Sequence, residues 1–266
     1  MLLVLPFSQV DYRLALALAK YLQYLGPYKQ HELLLVCPAN VSEHLEEMQK
    51  LIGDQFARVS TLIPKVHKDG WPVGPNSMFH SIAYHIASNV DCPCWYMFEP
   101  DNTPIKPSWL NTLASEYNRT ARPFLGVIHP TYYRRQDGTF YQDGAHLTGS
   151  SIYPKNAPQF SRLFRTIPHA NIPWDVYWQW EIIKYAGSTN LIHHEWRSFN
   201  WHRDKKSGEI VGERKGGTLP PDINTPLPLR PDAVVHHGCK DGTIMNIMRG
   251  FFTSRAKESE EQLSLT

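Results

Sequence analysis

Cys94-Trp95-Tyr96-Met97-Phe98-Glu99-Pro100-Asp101 is an apolar run that ends in two carboxylates. Five apolar residues bounded by Pro93 and Pro100 fit a strand buried on both faces, the type found in parallel sheets. Upstream, Ser77 to Ala87 places Phe79, Ile82, Ala83 and Ile86 on one helical face. Before it, residues 64–76 carry Trp71, Gly74 and Pro75 and read as a loop. Further back, Val59–Ile63 and Leu33–Val36 read as strands, and Ser42 to Ile52 as a charged amphipathic helix. Val10, Leu14, Leu18, Leu22 and Leu25 recur at helical spacing until Gly26-Pro27 stops them, after an apolar run over residues 2–7. Downstream, Ser108 is placed to cap a helix from Trp109 to about Asn118, and Phe124–Ile128 reads as a further strand.

Strand and helix therefore alternate through the first 130 residues. That pattern predicts an α/β fold: a Rossmann-like, mostly parallel central sheet with helices on both faces and right-handed crossovers. The second half differs. Tyr132 to Tyr153 is rich in Gly, Tyr and Thr and suggests short antiparallel strands. Pro158 to Phe164 and Trp174 to Tyr185 read as helices, and Leu191–His194 and Ala233–His237 as short strands. Residues 202–232 are polar and rich in Gly and Pro, and read as a long mobile loop. The expected organisation is a single catalytic domain over residues 1–255, divided at 130/131, with a flexible tail over 256–266.

The chain has 266 residues, enough for one substantial core. Its eight Trp and thirteen Tyr exceed what a core of this size needs, which points to a groove lined with aromatic side chains. A formal charge of +2 neither demands nor excludes a nucleic-acid partner. The start MLLVLPFS reads as a first strand rather than an export signal, and no apolar run reaches 18 residues. With four Cys, none in a redox or metal spacing, the expectation is free thiols and a cytoplasmic protein, in a host cytoplasm if the source is viral.

Three segments carry chemistry, and each has two readings. Open parallel sheets bind ligands beyond the carboxyl ends of their strands, where Glu99 and Asp101 fall. If the chain stays extended through Pro100, both carboxylates share one side and suit a divalent cation, Mn²⁺ or Mg²⁺. The other reading is a turn before the next helix. His236-His237-Gly238-Cys239-Lys240 follows a short strand; it either completes such a metal site and offers Lys240 to a phosphate, or forms a polar turn. Asp175, inside Pro173-Trp174-Asp175-Val176-Tyr177-Trp178, is either a carboxylate stabilised by a helix N-terminus or a general base facing the groove. A helix terminus would lower its pKa and weaken it as a base unless burial compensates. Glu181, His146 and His169 are lesser candidates.

Taken in order, these segments resemble a nucleotide-sugar glycosyltransferase of the GT-A fold, over most of residues 1–250. Leu3-Val4-Leu5-Pro6-Phe7-Ser8 resembles the strand that meets the nucleotide base, and Trp71-Pro72-Val73-Gly74-Pro75-Asn76 the loop that contacts ribose and sugar. Trp95 to Asp101 resembles the D-x-D strand, with Glu99 in place of the first Asp. His237 to Gly242 resembles the class's metal-histidine and phosphate-lysine segment, and His237, which precedes Gly, matches better than His236. The resemblance implies that Glu99, Asp101 and His237 bind the metal and that Asp101 is the firmer carboxylate. Pro6, Phe7, Ser8, Trp71, Asn76 and Lys240 would hold the donor, a UDP-sugar by preference, and Asp175 would be the base of an inverting enzyme. It implies a smaller antiparallel region on the acceptor side.

For the acceptor, the basic stretches 202–206 and 213–215 and the aromatic content suggest a polyanion. The scale of the chain resembles bacteriophage transferases that modify hydroxymethylated pyrimidines in double-stranded DNA. The alternatives are a surface polysaccharide or lipopolysaccharide acceptor, or a non-catalytic nucleotide-binding module. A pyrophosphorylase would want a Gly-rich basic loop after the first strand, and residues 6–13, PFSQVDYR, do not supply one.

Overall fold

In the computed structural model the chain is described over residues 1–65, 68–134, 140–195, 199–203, 205–207, 210–214, 227–250 and 252. The first half alternates as expected. Its elements are β1 (Leu2–Pro6), α1 (Tyr12–Leu25), β2 (Tyr28–Val36), α2 (His44–Ile52), β3 (Phe56–Leu62), α3 (Val73–Asn89), β4 (Cys94–Met97), β5 (Asn102–Pro104), α4 (Trp109–Thr120) and β6 (Phe124–Gly126). There follow β7 (Ile128–Arg134), β8 (Phe140–Leu147), β9 (Ile152–Pro154), α5 (Trp174–Tyr177), α6 (Gln179–Ile182), β10 (Ala186–Ser188), β11 (Ile192–His194), β12 (Phe199–Arg203), β13 (Ile210–Arg214), β14 (Leu227–Pro228) and β15 (Val235–His237).

Seven strands make the main sheet, in the order β10-β6-β9-β4-β1-β2-β3. β1 pairs parallel with β2 and β4, and β2 with β3; β9 runs antiparallel between β4 and β6. The result is a mixed α/β fold with a central, mostly parallel sheet flanked by helices and smaller antiparallel sheets beside it. Strand alternation divides the core. Leu3 and Leu5 face one cluster, with Leu18, Leu22, Met48 and Trp109 of the helices on that side. Leu2 and Val4 face the other, with Phe79, Ile82, Trp174 and Trp178.

Several boundaries differ from the sequence reading for local reasons. Val10 is 96% exposed and lies outside α1, which starts at Tyr12. The helix expected from Ser77 begins at Val73, because Pro75 in a first turn lacks only a donor that has no helical acceptor. Ser108 flanks α4 but its hydroxyl caps nothing; its backbone is not extended, so the side chain is not presented to the free N–H groups. The helix expected from Trp174 to Tyr185 breaks at Trp178 into α5, α6 and a 3₁₀ turn at Ile183–Tyr185. Trp174 and Trp178 are both sunk in the second core cluster, and this anchoring overrides continuous helix geometry.

Pro158 to Phe164 is two 3₁₀ stretches, Ala157–Phe160 and Arg162–His169. Of the expected loop 202–232, the described parts include β13, β14 and the end of β12, joined as a three-stranded antiparallel sheet. Residues 215–226 and the tail 256–266 lie outside the described residues. No described helix is long and apolar enough to cross a membrane. All four cysteines are buried free thiols.

Candidate metal centre and active-site cavity

The parallel strands β1 and β4 end side by side, Val4 opposite Met97, and a cavity of about 690 Å³ opens beyond them. Its walls include Pro6 at the end of β1 with Phe7 and Ser8 after it, Trp71 and Pro75 around the start of α3, and Glu99, Asp101 and Lys240. Ligand sites belong at this end of such a sheet because neighbouring loops diverge there and leave a crevice.

The two carboxylates do not converge by strand alternation, as an extended chain would have them. The backbone turns at Pro100: Asn102 N–H donates to the Glu99 carbonyl at 2.9 Å, and the Asn102 side chain donates to the same oxygen at 3.0 Å. Asn102 is fully buried. Its Oδ1 accepts from the Tyr96 hydroxyl at 3.1 Å and the Ser150 hydroxyl at 2.6 Å. The turn is thus clamped from three elements.

β5 leaves that turn and pairs antiparallel with β15, setting Asn102 opposite His237 and Thr103 opposite His236. Adjacent strand residues face opposite sides. His237 accordingly meets the acids, while His236 turns away and stacks on His193, with ring centroids 5.4 Å apart. His237 Nε2 lies 3.0 Å from Glu99 Oε2 and 3.5 Å from Asp101 Oδ1. One ligand atom from each of the three falls within 4.8 Å of the others, so this largely buried cluster could coordinate a divalent cation. Gly149 leaves room beside it: a Cβ there would lie 3.3 Å from the Trp174 ring and 3.4 Å from Glu99 Oε2.

The charges are mutually supporting. Burial opposes ionisation of Asp101, but His237 and Lys240 outweigh it and hold the carboxyl below its ordinary range. Burial likewise opposes a charged His237, and Asp101 and Glu99 overcome that and raise its pKa. Lys240 Nζ pairs with Asp101 Oδ2 at 2.8 Å while its side chain stays 82% exposed.

Asp175 does not line the cavity, although its neighbour Trp174 does. The residue is half-buried, and its carboxyl accepts from Val176 N–H at 3.0 Å. Desolvation, followed by repulsion from Glu99, pushes its pKa up to about 7. The lowering expected of a helix N-terminus loses because α5 has only four residues and too few aligned peptides for a strong dipole.

Two of the expected donor contacts have other engagements. Asn76 is fully buried and does not line the cavity. Its amide donates to the carbonyls of Ala170 (3.2 Å) and Ile172 (3.0 Å) and accepts from Trp174 N–H (2.8 Å). It fixes the segment that carries Trp174 and Asp175. Ser8 N–H and Oγ both donate to Asp11 Oδ1, at 2.6 and 2.9 Å, so the residue contributes a tight turn to the wall. Trp71, by contrast, is 74% exposed at the cavity. His146 is taken up by the Thr131 hydroxyl at 2.9 Å and His169 Nδ1 lies 3.4 Å from Lys68 Nζ; neither belongs to the acid cluster.

Sequence reasoning missed Asn102, Ser150 and His194. His194 Nδ1 lies 2.8 Å from His237 Nδ1, on the side of that ring away from the acids. The doublet His193-His194, facing His236-His237 across paired strands, was the only trace of it in the sequence.

No protein-family model and no curated protein matches the chain. Among solved structures, 4-diphosphocytidyl-2C-methyl-D-erythritol synthase from Anaerococcus prevotii is similar over 71% of this chain and 85% of its own, at 7% identity and a TM-score of 0.47. Mouse xyloside xylosyltransferase 1, in its apo form, is similar over 73% of this chain and 87% of its own, at 10% identity and a TM-score of 0.45. Function has to be read from the cavity and its side chains.

Proposed function

We propose that this chain is a metal-assisted transferase of the GT-A kind that moves a sugar from a nucleotide diphosphate sugar to an acceptor hydroxyl. The observation that carries the reading is that Glu99, Asp101 and Lys240 line one cavity and that His237, from the same distant segment as Lys240, stands against both acids. The donor set fits a cation. Two carboxylates face one imidazole nitrogen, Nε2 of His237, across a gap that a metal could occupy. The imidazole favours Mn²⁺ over Mg²⁺, which prefers oxygen ligands.

A cation held there supplies Lewis-acid stabilisation of the diphosphate leaving group. Lys240 adds a second positive charge on an exposed stem and exchanges its pairing with Asp101 for a phosphate oxygen. Trp71 and the strand end Pro6-Phe7-Ser8 wall the nucleoside, a uridine by preference. Asp175, its pKa pushed up to about 7, follows the cavity-wall residue Trp174 directly and, in this reading, takes the proton of an acceptor hydroxyl that enters past Trp174. Nucleotidyl transfer fits less well: the turn after β1 closes on the Asp11 carboxylate instead of offering donors to a triphosphate.

The acceptor is a carbohydrate hydroxyl in this reading, as in a surface polysaccharide or lipopolysaccharide. Trp180, 57% exposed, offers a flat face to a sugar ring. Nothing among the described residues favours hydroxymethylated DNA or a phage origin; of the two basic stretches, only Lys205 and Lys206 have described side chains.

Titration of the purified protein with UDP- and GDP-sugars, with and without Mn²⁺, tests the reading. Metal-dependent binding is expected, and its absence with both donors overturns it. Labelled donor offered to glycan and to hydroxymethylated duplex DNA then separates the acceptors.

A further inference from the structure

We infer that His194 is a positioning residue for the metal site, acting as the acceptor that keeps a proton on His237 Nδ1 and leaves Nε2 free for the cation. The inference rests on the metal reading above. A neutral imidazole carries one proton, and only the unprotonated nitrogen binds a metal. His237 Nε2 faces Glu99 and Asp101 at 3.0 and 3.5 Å, so Nε2 is the ligand atom. Its proton must then sit on Nδ1, and a buried N–H needs an acceptor. His194 Nδ1 stands 2.8 Å away and meets that need.

The opposite arrangement, with His194 donating, would leave the His237 proton on Nε2, in the place of the metal. The fold holds His194 in position. β11 runs parallel to β15 with His194 in register with His237, and Glu195 N–H donates to the His237 carbonyl at 2.9 Å. On its other side the His194 ring meets His129 nearly edge-on, with centroids 5.5 Å apart. Outer partners of this kind fix the tautomer and raise the basicity of ligating histidines.

The test measures Mn²⁺ affinity by electron paramagnetic resonance for the wild type, His194→Leu and His194→Asn. Leu removes the acceptor, whereas the Asn side-chain oxygen stands close to where Nδ1 was. Expected is a loss of about 10- to 100-fold for His194→Leu and recovery of most of it by His194→Asn. Equal affinity in wild type and His194→Leu overturns the inference, and so does equal loss in both variants. If the wild type itself binds no Mn²⁺, the metal reading fails first and takes this one with it. If His194→Leu does not fold, long-range ¹H–¹⁵N spectra of the Zn²⁺-loaded wild type decide. A proton on His237 Nδ1 is expected, and an Nε2-protonated ring overturns the proposal.

Discussion

His237 is the ladder partner of Asn102 in the antiparallel pairing of β5 with β15, one position beyond Asp101. The Asp101 carbonyl in turn accepts from Gly238 N–H at 3.3 Å. Two segments about 136 residues apart in sequence thus share one register, and the geometry of the acids and the imidazole follows from it.

Gly238 sits at φ 112°, a conformation that side chains resist. Gly238→Ala should cost about 1–3 kcal/mol of stability. It should also shift His237 against its carboxylates, so Mn²⁺ binding should weaken even well below the melting temperature. Thermal melts and paramagnetic resonance on the same samples check both.

Asp101 and Glu99 should prove unequal. Asp101 is 5% exposed and also holds Lys240, whereas the Glu99 side chain is 34% exposed. Asp101→Asn should lower Mn²⁺ affinity by more than the roughly 10- to 100-fold typical of outer-sphere changes, and Glu99→Gln by less than Asp101→Asn does. The reverse order would assign the firmer ligand to Glu99.

Asp175 couples stability to pH. Its folded pKa of about 7 lies above the ordinary 3.8, so the native state binds this proton more tightly than the unfolded chain. The associated stability is fully present below about pH 4 and is lost as pH rises toward 7. Asp175→Asn removes that loss: in metal-free protein the variant should be more stable by on the order of 1–4 kcal/mol above pH 7, with the gap closing toward pH 4. Donor binding should survive while transfer falls by about 10²- to 10⁴-fold. Urea melts across this pH range, with transfer assays at neutral pH, read both effects.

Asn76→Ala removes two donated hydrogen bonds and one accepted bond from a fully buried side chain. A loss of about 2–4 kcal/mol in urea unfolding is expected. Mn²⁺ affinity should hold, because the three ligands sit on other elements, while transfer drops as Trp174 and Asp175 shift.

Trp71→Ala tests the cavity wall. At 74% exposure the side chain contributes little to the core, so stability should stay within about 0.5 kcal/mol. If it stacks on the base, nucleotide binding should weaken by about 1–3 kcal/mol, roughly 5- to 150-fold. Unchanged calorimetric affinity would remove Trp71 from the donor site.

The alternating elements of the first half were legible in the sequence because local periodicity sets them. A buried strand such as Cys94–Met97 reads as an apolar run, and α3 as an apolar stripe, wherever they sit. The sequence also placed Glu99 and Asp101 beyond a strand end, and the family resemblance preferred His237 to His236. It could not show that a turn clamped by Asn102, rather than strand alternation, brings the acids together, since that clamp uses Tyr96 and Ser150 from separate strands and loops. Nor could it show that Asn76 is consumed by backbone, that burial defeats the helix terminus at Asp175, or that His194 backs His237. Periodicity and turn chemistry are properties of neighbours along the chain; hydrogen-bond partners, desolvation and imidazole orientation are set by residues that only the folded sheet brings together.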